Sequence, residues 1–421
     1  MKNISVLMAA ATTAVAFSGA ADAQRLGKIS SNEFNPAFSM ILDAGVAVYS
    51  NDEDYEIAGF PLGGEAGVDE EGFNINEVEL VGSADVDDKF YGVVVLGIHN
   101  DEGETELDIE EAFFQTTALP HGFTVKGGKF FSELGYLNIH HKHAWDFADA
   151  PLVYRAMLGG QYGDTGLQAR WVAPTETFIE LGAEWTRGDA FPAGGSPQDG
   201  RGAGVLFAHI GGDIGDSNSW QLGVSHLQAD DVTTELGGHS HGGGDAPDNE
   251  FLGDVTVSGV DFIYKWAPNG NSKERNLKIQ AEWFVREMEG AFEFEDADAG
   301  ESGDGNILAD QTGWYVQAVY QFKPRWRVGV RYDELESDNQ FSNVTFTGFA
   351  DADELIEETG WADEGVKPQR STIMFDYSNS HFSRVRLQYS TEDSRHPGEE
   401  KDDQIFLQYV YSLGSHGAHR F

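Results

Sequence analysis

The chain contains no cysteine, so neither disulfides nor thiolate chemistry can contribute to it. It also lacks any apolar run near the ~20 residues that a spanning helix requires. Such a polypeptide enters a membrane only as a closed barrel, because open strands leave backbone groups unpaired in lipid. Cations are scarce: 27 Lys+Arg stand against 71 Asp+Glu, a formal net charge of -44. That balance excludes a nucleic-acid partner, since phosphate binding needs a basic face. No Ser/His or Asp/His spacing singles out a catalytic set, and the Gly/Asp-rich stretch Asp296–Asn306 lacks the regular ligand spacing of an EF-hand. The expectation is a protein that is not an enzyme and holds no resident cofactor.

What is present begins with a secretory leader. Lys2 precedes a short apolar run, Ile4 to Phe17, and Ala21-Asp22-Ala23 has the small-x-small form of a cleavage site. Residues 1–23 are expected to be a signal peptide, 24–37 a short periplasmic segment and 38–421 a single outer-membrane unit.

Strict alternation then recurs along the chain, and period two is the strand signal. Trp326, Val328, Val330 and Tyr332 oppose Arg327, Arg331 and Asp333. Trp314, Val316, Ala318, Tyr320 and Phe322 oppose Gln317, Gln321 and Lys323. Leu277, Ile279, Ala281, Trp283 and Val285 oppose Lys278, Gln280, Glu282 and Arg286, and Val385, Leu387 and Tyr389 oppose Arg384 and Arg386.

Candidate strands start near Phe38, Asn74, Phe90, Thr105, Gly122, Gly166, Glu176, Ala203, Ser219, Asp254, Arg275, Thr312, Trp326, Ser371, Phe382 and Asp403. Tight connections such as Asp87-Asp88-Lys89 and Lys323-Pro324-Arg325 alternate with mostly long ones, among them Ser50–Phe73, Phe131–Thr165, Glu289–Gln311 and Glu336–Arg370. A sandwich has no reason to keep that rhythm, whereas an outer-membrane barrel shows short turns on one side and long loops on the other. The expected fold is all-β: a transmembrane antiparallel β-barrel of about 16 strands with an inward-folded constriction loop. Its partners would be outer-membrane lipid, lipopolysaccharide and the barrel-assembly machinery, which reads a terminal aromatic such as Phe421.

Several phrases resemble the phosphate-selective porin O/P-like superfamily: Gly127-Gly128-Lys129-Phe130-Phe131-Ser132-Glu133-Leu134-Gly135, the basic-aromatic strand Trp326–Tyr332 and the terminal Phe421. Others, Ala144-Trp145-Asp146-Phe147, Asp149-Ala150-Pro151-Leu152-Val153-Tyr154-Arg155 and Phe375-Asp376-Tyr377-Ser378-Asn379-Ser380, resemble a branch labelled zinc-regulated or TonB-dependent outer-membrane receptors. The resemblance implies a homotrimeric porin. It also implies two further readings, a receptor for zinc uptake and an anion- or phosphate-selective pore. Energy-coupled receptors use 22-stranded plugged barrels, while here only Gln24 to Ala37 precede the first expected strand.

The long connection after the fifth strand is the expected constriction, carrying Glu133, His140, His141, His143, Asp146 and Asp149. Opposite it, Lys278, Arg286, Lys323, Arg327, Arg331, Arg384 and Arg386 occupy expected lumen positions. Acids facing such a wall would set up a transverse field that orders dipolar solutes. His239 and His241, in a Gly-rich outer loop, form with His140, His141 and His143 a candidate set of ligands for weakly bound zinc, with calcium as an alternative at acidic loops. A polar loop in which histidine is incidental is the competing reading. Ser50–Phe73 and Glu289–Gln311 each hold eight Asp/Glu and no Lys/Arg. An acidic rim enriches cations within a Debye length of ~8 Å. The reading is a passive channel for small solutes, leaning to cations or divalent metal such as zinc.

Overall fold

The computed structural model describes residues 36–51, 55–101, 104–194, 202–237, 247–363, 365–396 and 401–414. The expected signal peptide, the terminal Phe421 and the loop pair His239 and His241 lie outside them. Sixteen antiparallel strands, β1 to β16 in chain order, form a closed barrel in which each pairs with its sequence neighbours. The ring is sealed by β1 (Ala37–Val48) against β16 (Asp402–Gly414), in register from Ser39↔Gly414 to Val48↔Ile405. Closure leaves no backbone edge open to lipid. An even strand number returns both ends of the barrel to the rim of short turns.

The expected apolar faces point outward. Leu167, Leu181, Leu206, Val260, Trp283, Val330, Ile373, Leu387 and Leu407 are exposed, while their polar neighbours face the lumen. At the short-turn rim, Trp326 stands 5.2 Å from Phe375 and 4.6 Å from Tyr377, ring centre to ring centre. Such an aromatic belt suits a lipid–water interface. Among the described residues no helix is long and apolar enough to cross a membrane. A closed barrel with an apolar outer band is the form in which strands cross a membrane. Val330 is 53% exposed in the middle of this band, so Val330→Arg should destabilise the folded barrel by about 2–4 kcal/mol in lipid vesicles. Glu293→Arg, on an outward position above the band, should change it little. Urea titration in vesicles reads both.

Two expected long loops are extended strand instead. β11 runs Asn276–Asp296 and β12 Glu301–Lys323, so Glu289–Gln311 is mostly a paired hairpin with its turn at 297–300. β13 runs Trp326–Thr347 and is followed by a short helix, α2, at Ala352–Glu358. The reason lies in an inversion of polarity along β11. Its lower outward positions, Leu277 to Val285, are apolar, but the same parity above them reads Glu287, Glu289, Glu293 and Glu295. The inward parity turns apolar there, with Phe284, Met288, Phe292 and Phe294 buried. Outside the lipid the strand behaves like one from a soluble protein, polar toward water and apolar toward a core.

Candidate functional site in the barrel lumen

That core is built largely from the connecting loops. The connection from β5 (Phe123–Phe131) to β6 (Gly163–Val172) folds inward and carries a helix, α1 (Leu152–Leu158), whose every residue is buried. Against it pack Ile57, Phe60 and Leu62 from the β1–β2 connection, Phe191 from the β7–β8 connection and Trp361 from the β13–β14 connection. Backbone and side-chain bonds tie the same segments together. Glu65 N–H donates to Gly159 O at 3.0 Å, and Gln311 Nε2 donates to Gly59 O at 2.9 Å. These connecting loops pack against one another and against the inner wall of the barrel.

The inner loop is clamped to the expected basic wall by contact. Asp146 accepts from Arg327 at 2.7 Å and from Lys278 at 3.1 Å. Burial pushes the Asp146 carboxyl up, but these two cations outweigh it and hold it below the usual carboxylate range. Asp149 pairs with Arg331 at 2.8 Å, with Arg370 at 2.9 Å and with Arg155 at 3.4 Å. Arg384 and Arg386 hold loop carbonyls, those of His143 at 2.8 Å and Trp145 at 2.7 Å. Glu282 of β11 accepts from the backbone N–H groups of Tyr136 and Leu137 at 2.8 and 3.0 Å.

The transverse field expected between loop acids and basic wall is therefore largely closed up into ion pairs. A loop long enough to cross the lumen lets opposite charges meet rather than face each other across water. Glu133 likewise pairs with Arg170 at 3.3 Å. Arg286 donates to Gln311 at 2.7 Å and lies over the Phe191 ring. Lys323 departs from its expected lumen position: it sits exposed at the short-turn rim, its ammonium 4.8 Å from the Trp326 ring. The strand ends there, and the side chain bends toward the aromatic belt.

The histidines divide. His140 lies edge-on to Tyr136 at 4.9 Å, and burial, with Lys278 and Lys265 nearby, pushes its imidazole down to about 3. It stays neutral and away from the acids near its neighbours. His141 and His143 turn to the opposite wall, formed by β2 (Gly72–Asp85), β3 (Phe90–Asp101) and β4 (Glu104–Thr116). His141 Nδ1 lies 2.9 Å from Glu110 Oε2 and 3.7 Å from Glu79 Oε2, while its Nε2 lies 3.1 Å from Glu111 Oε2. His143 Nδ1 is hydrogen-bonded to Glu79 Oε1, and the two imidazoles stack at 5.8 Å. Beside them His99 Nε2 is 3.9 Å from both Glu77 and Glu110. Two overlapping groups, Glu79–Glu110–His141 and Glu77–His99–Glu110, bring their nitrogen and oxygen atoms within 4.8 Å of one another.

A β-bulge makes this wall. Val95 pairs with Glu111 and Leu96 with Ile109, so Glu110 is an extra residue in β4. An unpaired extra residue re-aims its side chain, and the consecutive Glu110 and Glu111 both reach the lumen. Before the bulge Leu107 and Ile109 face outward, and after it Phe114 does. That parity switch is written in the sequence and is the signal by which these two acids can be found. Glu77, Glu79 and His99 were legible only as inward positions of their strands. A small cavity lined by Gly45, Asp69, Asn76, Ala148 and Gln408 lies on the same side, between the inner loop and the β1–β16 seam.

No family model matches the chain. A relative from Aquifex aeolicus (strain VF5), described as an uncharacterized protein, is 28% identical over 425 residues, 95% of this chain and 82% of the relative. Similar solved structures are outer-membrane proteins. The outer membrane channel DcaP of Acinetobacter baumannii has a TM-score of 0.52 at 16% identity, covering 90% of this chain and 96% of its own. An anion-selective porin from Comamonas acidovorans has a TM-score of 0.50 at 11% identity, with 90% and 99% covered. The trimer form of OmpT from Vibrio cholerae also has a TM-score of 0.50 at 11% identity, with the same shares covered. At these identities the likeness is one of fold. The chain is a closed 16-stranded β-barrel whose fold is similar to theirs.

Proposed function

We propose that this protein is a porin-like channel for passive diffusion of small solutes, with a preference for cations and divalent metal ions such as zinc. The observation that carries the preference is an imbalance between the two sides of the lumen. The arginine side is consumed in contacts with the inner loop, which neutralise Arg327, Arg331 and Arg370. The side built from β2 to β4 gathers Glu77, Glu79, Glu110 and Glu111, and the groups in contact pairs with them there are the imidazoles of His99, His141 and His143. Charged rings at a constriction set selectivity, and the acidic rim adds to the same sign. Secretion through a leader cleaved after Ala23 and assembly as a homotrimer belong to this reading. The OmpT trimer lends the second its support.

Planar bilayers test it. Purified protein should give discrete conductance steps, and under a KCl gradient the reversal potential should carry the sign of cation preference. The opposite sign would favour the anion-selective alternative, and a flat trace would remove the channel reading altogether.

A further inference from the structure

We propose that Glu79, Glu110 and His141 bind one divalent first-row transition-metal ion, with Glu111 and His143 holding the ligands in place. This deepens the reading of a lumen that favours divalent cations and rests on it only for biological purpose, since binding requires no conduction.

Three features point to a metal rather than to a hydrogen-bonded acid cluster. The first is the second partner of His141. A metal-ligating imidazole characteristically gives its other N–H to a carboxylate, which fixes the tautomer and aims the free lone pair. Here Glu111 stands at Nε2, 3.1 Å away. Its acceptance of that proton leaves the Nδ1 lone pair facing Glu110 and Glu79.

The second is an unpartnered oxygen. Glu79 is 1% exposed, and its Oε2, the oxygen directed at His141, has no hydrogen-bond partner. Its other oxygen is held by His143. A doubly protonated His141 would satisfy Glu110 and Glu111 but would leave Glu79 Oε2 at 3.7 Å, beyond hydrogen-bond reach. A cation between the three groups satisfies all of them.

The third is a cradle. A Cβ built on Gly97 would lie 2.6 Å from Glu110 Oε1 and 2.6 Å from His99 Nε2. The bare backbone of β3 at Gly97, directly across from Glu79 on β2, leaves the room that both side chains occupy.

Geometry and chemistry agree with the proposal. Tetrahedral ligands at zinc bond lengths of about 2.0–2.1 Å sit roughly 3.3 Å apart. The two distances from His141 Nδ1, 2.9 and 3.7 Å, bracket that value. Imidazole with carboxylate suits zinc and its first-row neighbours, whereas calcium and magnesium favour all-oxygen sets. Lys142, which follows His141 in the chain, is engaged by Glu65 at 2.7 Å, and a divalent ion would supply positive charge among the carboxylates. Bound there, the metal would clip the inner loop to the acidic wall as the arginines clip it to the other.

The experiment uses full-length protein in detergent, stripped with EDTA and carrying His239→Ala and His241→Ala to remove the outer-loop pair. Co²⁺ titration should give visible d–d bands that saturate at one ion per chain and vanish when Zn²⁺ is added. His141→Ala and Glu79→Gln should abolish the bands. Glu111→Gln, which keeps every ligand, should weaken Zn²⁺ binding about 10–100-fold in chelator competition. Gly97→Ala should weaken it as well, and His209→Ala, in another part of the barrel, should not. Heat-shifted gel mobility confirms that each variant is folded; should His141→Ala fail to fold, Glu111→Gln decides. Absent bands in the parent protein, or bands indifferent to the folded His141 and Glu111 variants, would overturn the site. A protein that binds Co²⁺ but passes no current keeps the site and loses the channel, and the reverse result separates them equally well.

Discussion

Replacing Asp149 with alanine is expected to free the inner loop and raise single-channel conductance several-fold. Asp149 is buried among three guanidinium groups, Arg331, Arg370 and Arg155, and also accepts from Gln388 Nε2 at 2.9 Å. Removing one partner of a buried ion network leaves charges without compensation, at a cost of about 3–5 kcal/mol. That cost falls on the docked loop rather than on the barrel, whose strand ladder does not pass through Asp149. The loop can relieve it by leaving the wall and admitting water to the arginines. Conductance should rise and become noisy, and the segment 132–162 should become a protease target while gel mobility still reports a folded barrel. Asp149→Asn, which keeps the shape and some hydrogen bonds, should fall between. Unchanged conductance together with unchanged protease resistance would show that the loop is held by its apolar face alone.

The second large effect concerns ion preference. Converting Glu77, Glu79, Glu110 and Glu111 to glutamine together should carry the reversal potential from the cation side to neutrality or beyond. These carboxylates stand on the wall that the arginines do not neutralise, inside the barrel, where salt screens less than at an exposed rim. Rim acids such as Glu293 and Glu295 face open water on the outer hairpin. Neutralising them should shift the potential slightly, and only at low salt. If the rim variant moved the reversal potential more than the wall variant, selectivity would reside in the vestibule, and the bulge in β4 would have no part in it.

Much of the fold could be read from residue order because the signals involved are local. Alternation in Trp326–Tyr332 and in Leu277–Val285 reports a face turned to lipid whatever lies across the lumen. Turn residues at Asp87-Asp88-Lys89 or Lys323-Pro324-Arg325 mark one rim regardless of the other. Even the hairpin Glu289–Gln311 keeps its period two. By sequence it reads as a loop because the apolar and polar parities exchange sides where the strand leaves the membrane.

The candidate site was legible only in part. His141, His143, Asp146 and Asp149 stood out as chemistry-bearing residues in one long connection, but their partners come from strands far away in sequence. Arg386, for example, holds a carbonyl 241 residues distant.

By itself, then, the sequence determined a lipid-facing barrel of about this many strands, the rim that carries the long loops, and an acidic surface. Each of these follows from periodicity, turn chemistry or composition. Only the tertiary structure decided that the loop acids join the arginines in contact pairs, that His141 and His143 part from His140, and that Glu79, Glu110 and Glu111 gather around them. Those outcomes depend on barrel closure, on strand register and on one extra residue in β4. Together these bring side chains into the lumen from segments that share no local pattern.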